Sequence, residues 1–427
     1  MRKLLLLIVL ALPLHAATKV TLLHFSDYHS HALPFFTDDG PDRGGIARAV
    51  RYLRREKQRG ALVFSGGDMI NKGSPAWSDK YGCAEWPWLN GIVDAMAFGN
   101  HDADYGRDAF DRCRAPLHYP ILSANTPGMQ RYAVVKTKGI RIGVFAVAGS
   151  DFPALVKGMT FTDATAAARD AVRELRERER VDAIVMIGHE HTEEDFALAR
   201  AVAGIDVIFG SHSHRKQDAT VISGTSTLFL SPFQYLTYIG RVELTFDGRR
   251  LTKAAGRLVP VDAKLAEDRA TAKKVRAMQQ ELERDPQYRE LFTTAGTLAA
   301  PLNTESLAHG VLTMMREVAK ADVAMSTASS FRQPLPAGPI THELLRAALP
   351  YDNEIFVAEL TGEEVRKVLD YSDAKAGSDS VMFIVGGARL DPKKTYRVAT
   401  TDYAAKVAAG YRELFAGAKG TGLRARA

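Results

Sequence analysis

Aspartate, histidine and asparagine cluster at five places in the first half of the chain, each time just behind a short apolar run. "TLLHFSDYHSH" carries Asp27 and His29, "ALVFSGGD" carries Asp68, "AMAFGNHDAD" carries Asn100, His101 and Asp104, "IVMIGHEH" carries His189, and "IFGSHSH" carries His212 and His214. Carboxylates, imidazoles and one amide, with no cysteine among them, form a donor set for borderline divalent metals such as Zn, Mn, Fe or Co. The set is too large for one tetrahedral ion. It fits two adjacent ions sharing a carboxylate, an arrangement that clamps the attacking and leaving oxygens of a phosphoryl displacement.

Not every polar residue in these runs belongs to that set. His24 sits inside the first apolar run and reads as a hydrogen-bonded core histidine. His31 and His191 read as neighbours of the site, and Asp102 as a structural acid facing away from it. Gly99 is expected to let the chain leave its strand sharply.

The elements that must carry these residues are legible as an alternation. "KVTLLHF", "ALVFSG", "AMAFG", "YPILSAN", "IRIGVFAVAG", "DAIVMIG" and "IDVIFGS" read as short buried strands bounded by Gly, Asn or Ser. Helical patterns such as "GGIARAVRYLRREKQRG" and "ATAAARDAVRELRERER" lie between them, which predicts a layered α/β domain. The polar clusters then fall at the carboxyl ends of strands, where ligands bind in such sheets. "TLFLSPFQYLTYIGRVELTFDG" reads as antiparallel, with "DG" as its turn. The charged stretch 262–290 reads as an exposed connecting helix. A second unit follows from about 295, with a helix near "ESLAHGVLTMMREVAK", strands "DVAMST", "IFVAEL" and "TYRVATT", and a capping box at Thr361 to Glu364.

The first sixteen residues, "MRKLLLLIVLALPLHA", have the basic start and short apolar core of a secretory signal peptide. A retained anchor is the alternative, but the run is short for a membrane span. Cleavage after Ala16 leaves 54 basic residues against 50 acidic once Arg2 and Lys3 are removed from 56, and no basic run with interleaved aromatics suggests nucleic acid. Cys83 and Cys113 are the only cysteines. They could pair in an exported protein or remain as two buried thiols.

The five blocks, in this order, resemble the calcineurin-like metallophosphoesterases. "LLHFSDYHSH", "GGDMINKGSP", "GNHDADYG" and "GSHSH" look like the 5′-nucleotidase branch. The resemblance implies an N-terminal α/β/β/α metallophosphoesterase sandwich over 17–260, a connecting helix over 261–292 and a smaller C-terminal α/β (α+β) substrate-binding domain over 293–427, in a periplasmic or secreted protein with no stable membrane insertion after leader cleavage. It implies two divalent ions, of Mn, Zn, Co, Fe or Mg. Asp27, His29, Asp68 and His214 match one metal site; Asp68, Asn100, His189 and His212 match the other. His101 matches a catalytic histidine that is not a ligand, and Asp104 the carboxylate that pairs with it. Attack by hydroxide formed at the metals on a small phosphorylated substrate, most simply a nucleotide, follows.

The second unit departs from the family. Arg332 is retained, but Thr327, Ala328, Ser329 and Ser330 stand where the family has an Asn and three glycines. Tyr351 and Tyr403 match two base-stacking rings. Ala409 replaces an aspartate that grips ribose, and Asn303 lies near a missing arginine. A sugar nucleotide, a cyclic nucleotide, another phosphate ester or a carrier-bound sulfur compound are alternative substrates. A binding protein without catalysis is the alternative of another class; the complete set of ligand positions argues against it.

Overall fold

The computed structural model describes residues 17–373, 380–385, 390–408, 410–418 and 420–426. The leader and Ala409 therefore lie outside the described residues.

The apolar runs form two six-stranded sheets packed face to face. One has the order Arg250–Pro260, Tyr238–Asp247, Thr18–Phe25, Leu62–Ser65, Ala95–Ala97, Ile121–Leu122. The other runs Lys216–Val221, Leu228–Pro232, Val207–Gly210, Ala183–His189, Ile140–Ala148, Tyr132–Thr137. Side-chain alternation divides the work within a strand. Val20 and Leu22 point between the sheets with Phe64, Val185 and Phe209. Leu23 and Phe25 point outward, under the helix Ile46–Gln58. On the far sheet, Ile184, Met186 and Ile208 are covered by Ala168, Leu175 and Leu198 of two further helices. The result is four layers, α/β/β/α, with apolar surface buried on both faces of each sheet.

The central strands of each sheet run parallel. Thr18–Phe25, Leu62–Ser65, Ala95–Ala97 and Ile121–Leu122 pair in that sense, as do Ile140–Ala148, Ala183–His189, Val207–Gly210 and Leu228–Pro232. All the polar clusters therefore leave the sandwich at one edge.

Two expectations are corrected. The stretch 227–248 does not form one antiparallel unit: Leu228–Pro232 joins the second sheet, and Tyr238–Asp247 joins the first, where it pairs antiparallel with Thr18–Phe25 and Arg250–Pro260. The loop 233–237 crosses between sheets, and local pattern holds no record of which sheet a strand joins. The charged helix, observed at Arg269–Arg284, is not merely exposed, because Val275 and Leu282 on its inner face enter the outer core of the first sheet. Its high charge lies on the other face.

The C-terminal unit is a smaller five-stranded sheet in the order Val381–Val385, Val323–Thr327, Thr395–Thr401, Glu354–Thr361, Gly420–Arg426, flanked by helices. The capping box forms: Glu364 N–H donates to Thr361 Oγ1 at 3.3 Å, and Thr361 N–H donates to Glu364 Oε2 at 2.7 Å. Asn303 caps the helix Thr304–Ala319 by accepting from Ser306 N–H at 2.7 Å, so it serves the fold. Cys83 and Cys113 are joined in a disulfide. No described helix is long and apolar enough to cross a membrane.

Candidate metal centre and substrate cavity

The loops at the common sheet edge gather the residues singled out by type. Asp27, His29 and His214 bring ligand atoms within 4.8 Å of one another, and so do Asp68, His189 and His212. The backbone that delivers them is unusual. Asp27, His29, Asp68, His212 and His214 all adopt left-handed conformations, with φ between 46° and 62°. Non-glycine residues rarely do so, at about 1 kcal/mol or more each. Surrounding hydrogen bonds hold them there. Asp27 N–H donates to Gly67 O at 3.1 Å, and His29 N–H to Asp68 O at 2.9 Å, so the first loop is strapped to the second.

Asp102 straps the second loop to the third. Its buried carboxylate accepts from Asp68 N–H at 3.2 Å, Met69 N–H at 2.8 Å and Gly99 N–H at 2.9 Å. Burial and the neighbouring Asp68 push its pKa up to about 7, against the Met69 and Gly99 donors. Gly99 itself differs from expectation. Its φ of −97° is ordinary extended backbone. It must be glycine for space, because a Cβ there would overlap Asp68 Oδ1 and lie 2.8 Å from His189 Cε1.

Asp68 sits between the two clusters. Its Oδ1 accepts the His101 backbone N–H at 2.8 Å. Its Oδ2 lies 3.3 Å from His189 Nε2 and 3.8 Å from His29 Nε2. Hydrogen bonding then tests whether these groups suit cations. His29 Nδ1 faces Ile70 O at 3.1 Å, so it carries the proton and leaves Nε2 as a lone pair. That lone pair faces His214 Nε2 at 3.2 Å. His189 Nδ1 likewise donates to Gly66 O. Its Nε2 faces Asp68 Oδ2 and, at 3.3 Å, Asn100 Oδ1. Converging acceptors need a positive charge among them, and in this donor set divalent metal meets that need. Without one, protons do so. Burial opposes charge on His189, but Asp68 outweighs it and raises its pKa to about 9. Burial, helped by the Arg332 charge, lowers His214 to about 4.

His101 is arranged differently. Its Nδ1 lies 2.8 Å from Asp104 Oδ2, which also accepts the Lys72 N–H at 2.9 Å. Burial again opposes the charge, and Asp104 and Asp68 reverse it, raising the His101 pKa to about 10. Both carboxylates favour the charged form of His101 in the metal-free protein.

One site residue was not anticipated. Asp151 accepts from His212 Nε2 at 3.0 Å and lies 3.4 Å from His191 Nε2, forming a third group with them. It follows the strand Ile140–Ala148 by three residues, so the rule that found the other clusters would have found it. His24 stacks on Phe209 with centroids 4.6 Å apart and faces Gly210 O at 3.4 Å in the core. His31 stacks on Tyr235 at 3.6 Å.

A cavity of about 310 Å³ opens over this edge, closed on its far side by the C-terminal unit. The sandwich contributes Asn100, His101, Asp151, His191 and His212. The other wall holds Thr327, Ser329, Arg332, Tyr351 and Tyr403, joined by Tyr371 and Tyr411, whose sequence context gave no signal. Arg332 crosses between the domains: its Nη1 lies 2.6 Å from His214 Nδ1, and its Nη2 donates to Tyr351 Oη. A cation bound at His214 would displace either a proton or this guanidinium. The turn Ala328–Ser330 is tied internally, Ser329 Oγ donating to Thr327 Oγ1 and Ser330 Oγ lying against Ser326 Oγ, both at 2.8 Å.

Comparison with known proteins agrees with this layout. Residues 20–216 match the family model of the calcineurin-like phosphoesterases, and residues 287–389 that of the 5′-nucleotidase C-terminal domain. A 5′-nucleotidase of Vibrio vulnificus is 25% identical, covering 93% of this chain and 86% of that protein. A 5′-nucleotidase precursor from Thermus thermophilus superposes with a TM-score of 0.72 at 23% identity, over 95% of this chain and 93% of that one. The sulfate thiohydrolase SoxB from Thermus thermophilus also reaches 0.72, at 21% identity over 93% of each chain, so the fold is common to more than one chemistry. With both domains in the family's order, the chain belongs to the 5′-nucleotidase family of the calcineurin-like metallophosphoesterases and is a phosphoric ester hydrolase of that class.

Proposed function

We propose that the protein is an exported enzyme that removes phosphate from nucleotides with the help of two divalent cations. The observation that carries this reading is Asp68, whose one free oxygen lies between an imidazole of each cluster. In this reading Asp27, His29, Asp68 and His214 hold one cation, and Asp68, Asn100, His189 and His212 hold the other. Such cations lower the pKa of water and neutralise charge on phosphate oxygens.

The remaining work belongs to the chain. Asp104 fixes the His101 ring and keeps it protonated, so His101 offers a charged donor to a phosphoryl oxygen or to the departing oxygen. Arg332 adds a fixed charge next to His214, where a phosphate would meet a planar guanidinium. Asp151 holds the second nitrogen of His212 and so sets its orientation, as carboxylates behind ligating imidazoles commonly do.

Tyr351 and Tyr403 on the cavity wall support a base as the leaving end. Hydroxyls of Thr327 and Ser329 in place of a glycine loop give that end a tighter and more polar seat. Export is supported by the basic and apolar start of the chain and by the Cys83–Cys113 disulfide, a pairing typical of oxidising compartments. The divisions 17–260, 261–292 and 293–427 are the catalytic, connecting and substrate-binding segments of this reading.

The test is phosphate release from nucleoside monophosphates, UDP-sugars, cyclic nucleotides and aryl phosphates by manganese-loaded protein. Preference for nucleoside monophosphates by tenfold or more in kcat/KM over p-nitrophenyl phosphate is expected. Equal rates across the panel would remove the nucleotide from the reading.

A further inference from the structure

Asp104 does not stand alone behind His101; it is held by a loop that the C-terminal domain grips. Lys72 N–H donates to the same Asp104 oxygen that binds His101. The next residue, Gly73, is in the left-handed region with φ of 89°, and its N–H donates to Asp79 Oδ1 at 2.8 Å. Tyr105, directly after Asp104, donates its hydroxyl to the same Asp79 oxygen at 2.7 Å. One oxygen of Asp79 thus fixes both neighbours of the Lys72–Asp104 contact.

Its other oxygen faces the second domain. Arg346 Nη2 donates to Asp79 Oδ2 at 3.1 Å and salt-bridges it. The same short helix, His342–Ala348, takes hold of the loop twice more: Ser74 Oγ donates to Arg346 O at 3.1 Å, and Ala76 N–H donates to Glu343 Oε1 at 2.7 Å. Other hydrogen bonds between the domains include Arg332 Nη1 with His214, the Gln234 amide donating to Arg332 O, and Thr304 N–H donating to Asp38 Oδ1. The Asp79 contact leads by a chain of hydrogen bonds to Asp104 and the histidine that is not in either cluster, whereas Tyr351 of the C-terminal wall reaches that histidine only across the cavity.

We propose that Asp79 is a positioning residue that ties the seating of the C-terminal domain, through Arg346, to the setting of the Asp104–His101 pair. When the domain is seated, Arg346 fixes Asp79, Asp79 fixes Gly73 and Tyr105, and Lys72 N–H holds Asp104 against His101. When it is not, the segment 74–79 loses its three contacts with the helix His342–Ala348, at Ser74, Ala76 and Asp79, and Asp104 loses the frame around its second donor. Chemistry is thereby favoured only when the wall that carries the substrate is in place. The proposal rests on the reading of His101 as catalytic.

The test uses full-length, manganese-loaded protein, with AMP and p-nitrophenyl phosphate as substrates and metal content measured alongside. Asp79→Asn, Arg346→Ala, the double variant, Arg346→Lys and His101→Ala are compared. Asp79→Asn and Arg346→Ala are each expected to lower kcat about tenfold on both substrates, with KM for p-nitrophenyl phosphate and metal content unchanged, since misplacement of a catalytic group by a fraction of an ångström costs rate rather than binding. The double variant should be no slower than either single one. Arg346→Lys should recover most of the loss. Wild-type kcat in Asp79→Asn, or losses that multiply in the double variant, would overturn the proposal. If Asp79→Asn fails to fold by thermal melt, Arg346→Ala and Arg346→Lys at the partly exposed arginine decide the question alone. A crippled His101→Ala beside an intact Asp79→Asn overturns the positioning role only; an active His101→Ala overturns the reading beneath it.

Discussion

The two walls of the cavity are built on opposite principles. The sandwich wall is over-determined: of its five left-handed residues, Asp27, His29, Asp68 and His212 donate their backbone N–H groups to neighbouring loops, and Asp102 alone accepts from three backbone donors. The C-terminal wall is made of tyrosines and hydroxyls, with Tyr351 still 37% exposed and the Thr327–Ser330 turn bonded to itself. Metal chemistry tolerates little displacement of its donors, whereas apolar stacking tolerates many arrangements. In the proposed function the first wall would set what reaction is done, and the second to what.

Breaking the first wall should cost most. Asp68→Asn removes the carboxylate that lies between the two clusters, and on the proposed function is expected to lower turnover by roughly 10⁴-fold or more while reducing bound metal, because both Lewis acidity and nucleophile generation would depend on it. Elemental analysis and phosphate release check this. His101→Ala should fall by about 10³-fold with metal content unchanged, the range for a lost general acid. Equal metal loss in the two variants would erase the distinction between holding and reacting residues. On the second wall, Tyr351→Ala should lower kcat/KM for nucleotides by about tenfold, the loss expected for one stacked base, and leave aryl phosphates nearly unaffected.

How much of this was readable without coordinates follows the same division. Asp27, His29, Asp68, Asn100, His101, His189, His212 and His214 are visible because chemistry restricts their type and the sheet edge restricts their place. Asp151 obeys the same rule, three residues past the strand Ile140–Ala148, and was equally legible. The reason for Gly99 could not be read, since crowding against Asp68 depends on two loops that are 31 residues apart. Nor could the left-handed backbone, which local sequence disfavours and only the interlocked loops impose. The C-terminal wall was least legible: Tyr371 and Tyr411 lie in ordinary amphipathic segments, and nothing in their spacing distinguishes a cavity wall from a core.

A smaller effect sharpens the contrast within the first wall. In metal-free protein the His101 pKa is raised from its usual 6.5 to about 10, with Asp104 the largest raising influence. A raised histidine stabilises the fold fully below about pH 6.5, and the contribution is lost as pH climbs toward 10. The difference in melting temperature between wild type and Asp104→Asn should therefore be constant between about pH 5 and 6.5 and shrink steadily above that range. A difference that grew with pH would mean that Asp104 supports the fold by another route.

The central claim is that Asp68 joins two cations into one reactive centre. Titration of chelator-stripped protein with manganese, following AMP hydrolysis, tests it most directly. Activity should be absent without metal and rise to a break at two equivalents per chain. A break at one equivalent, or hydrolysis that persists in the stripped protein, would contradict it.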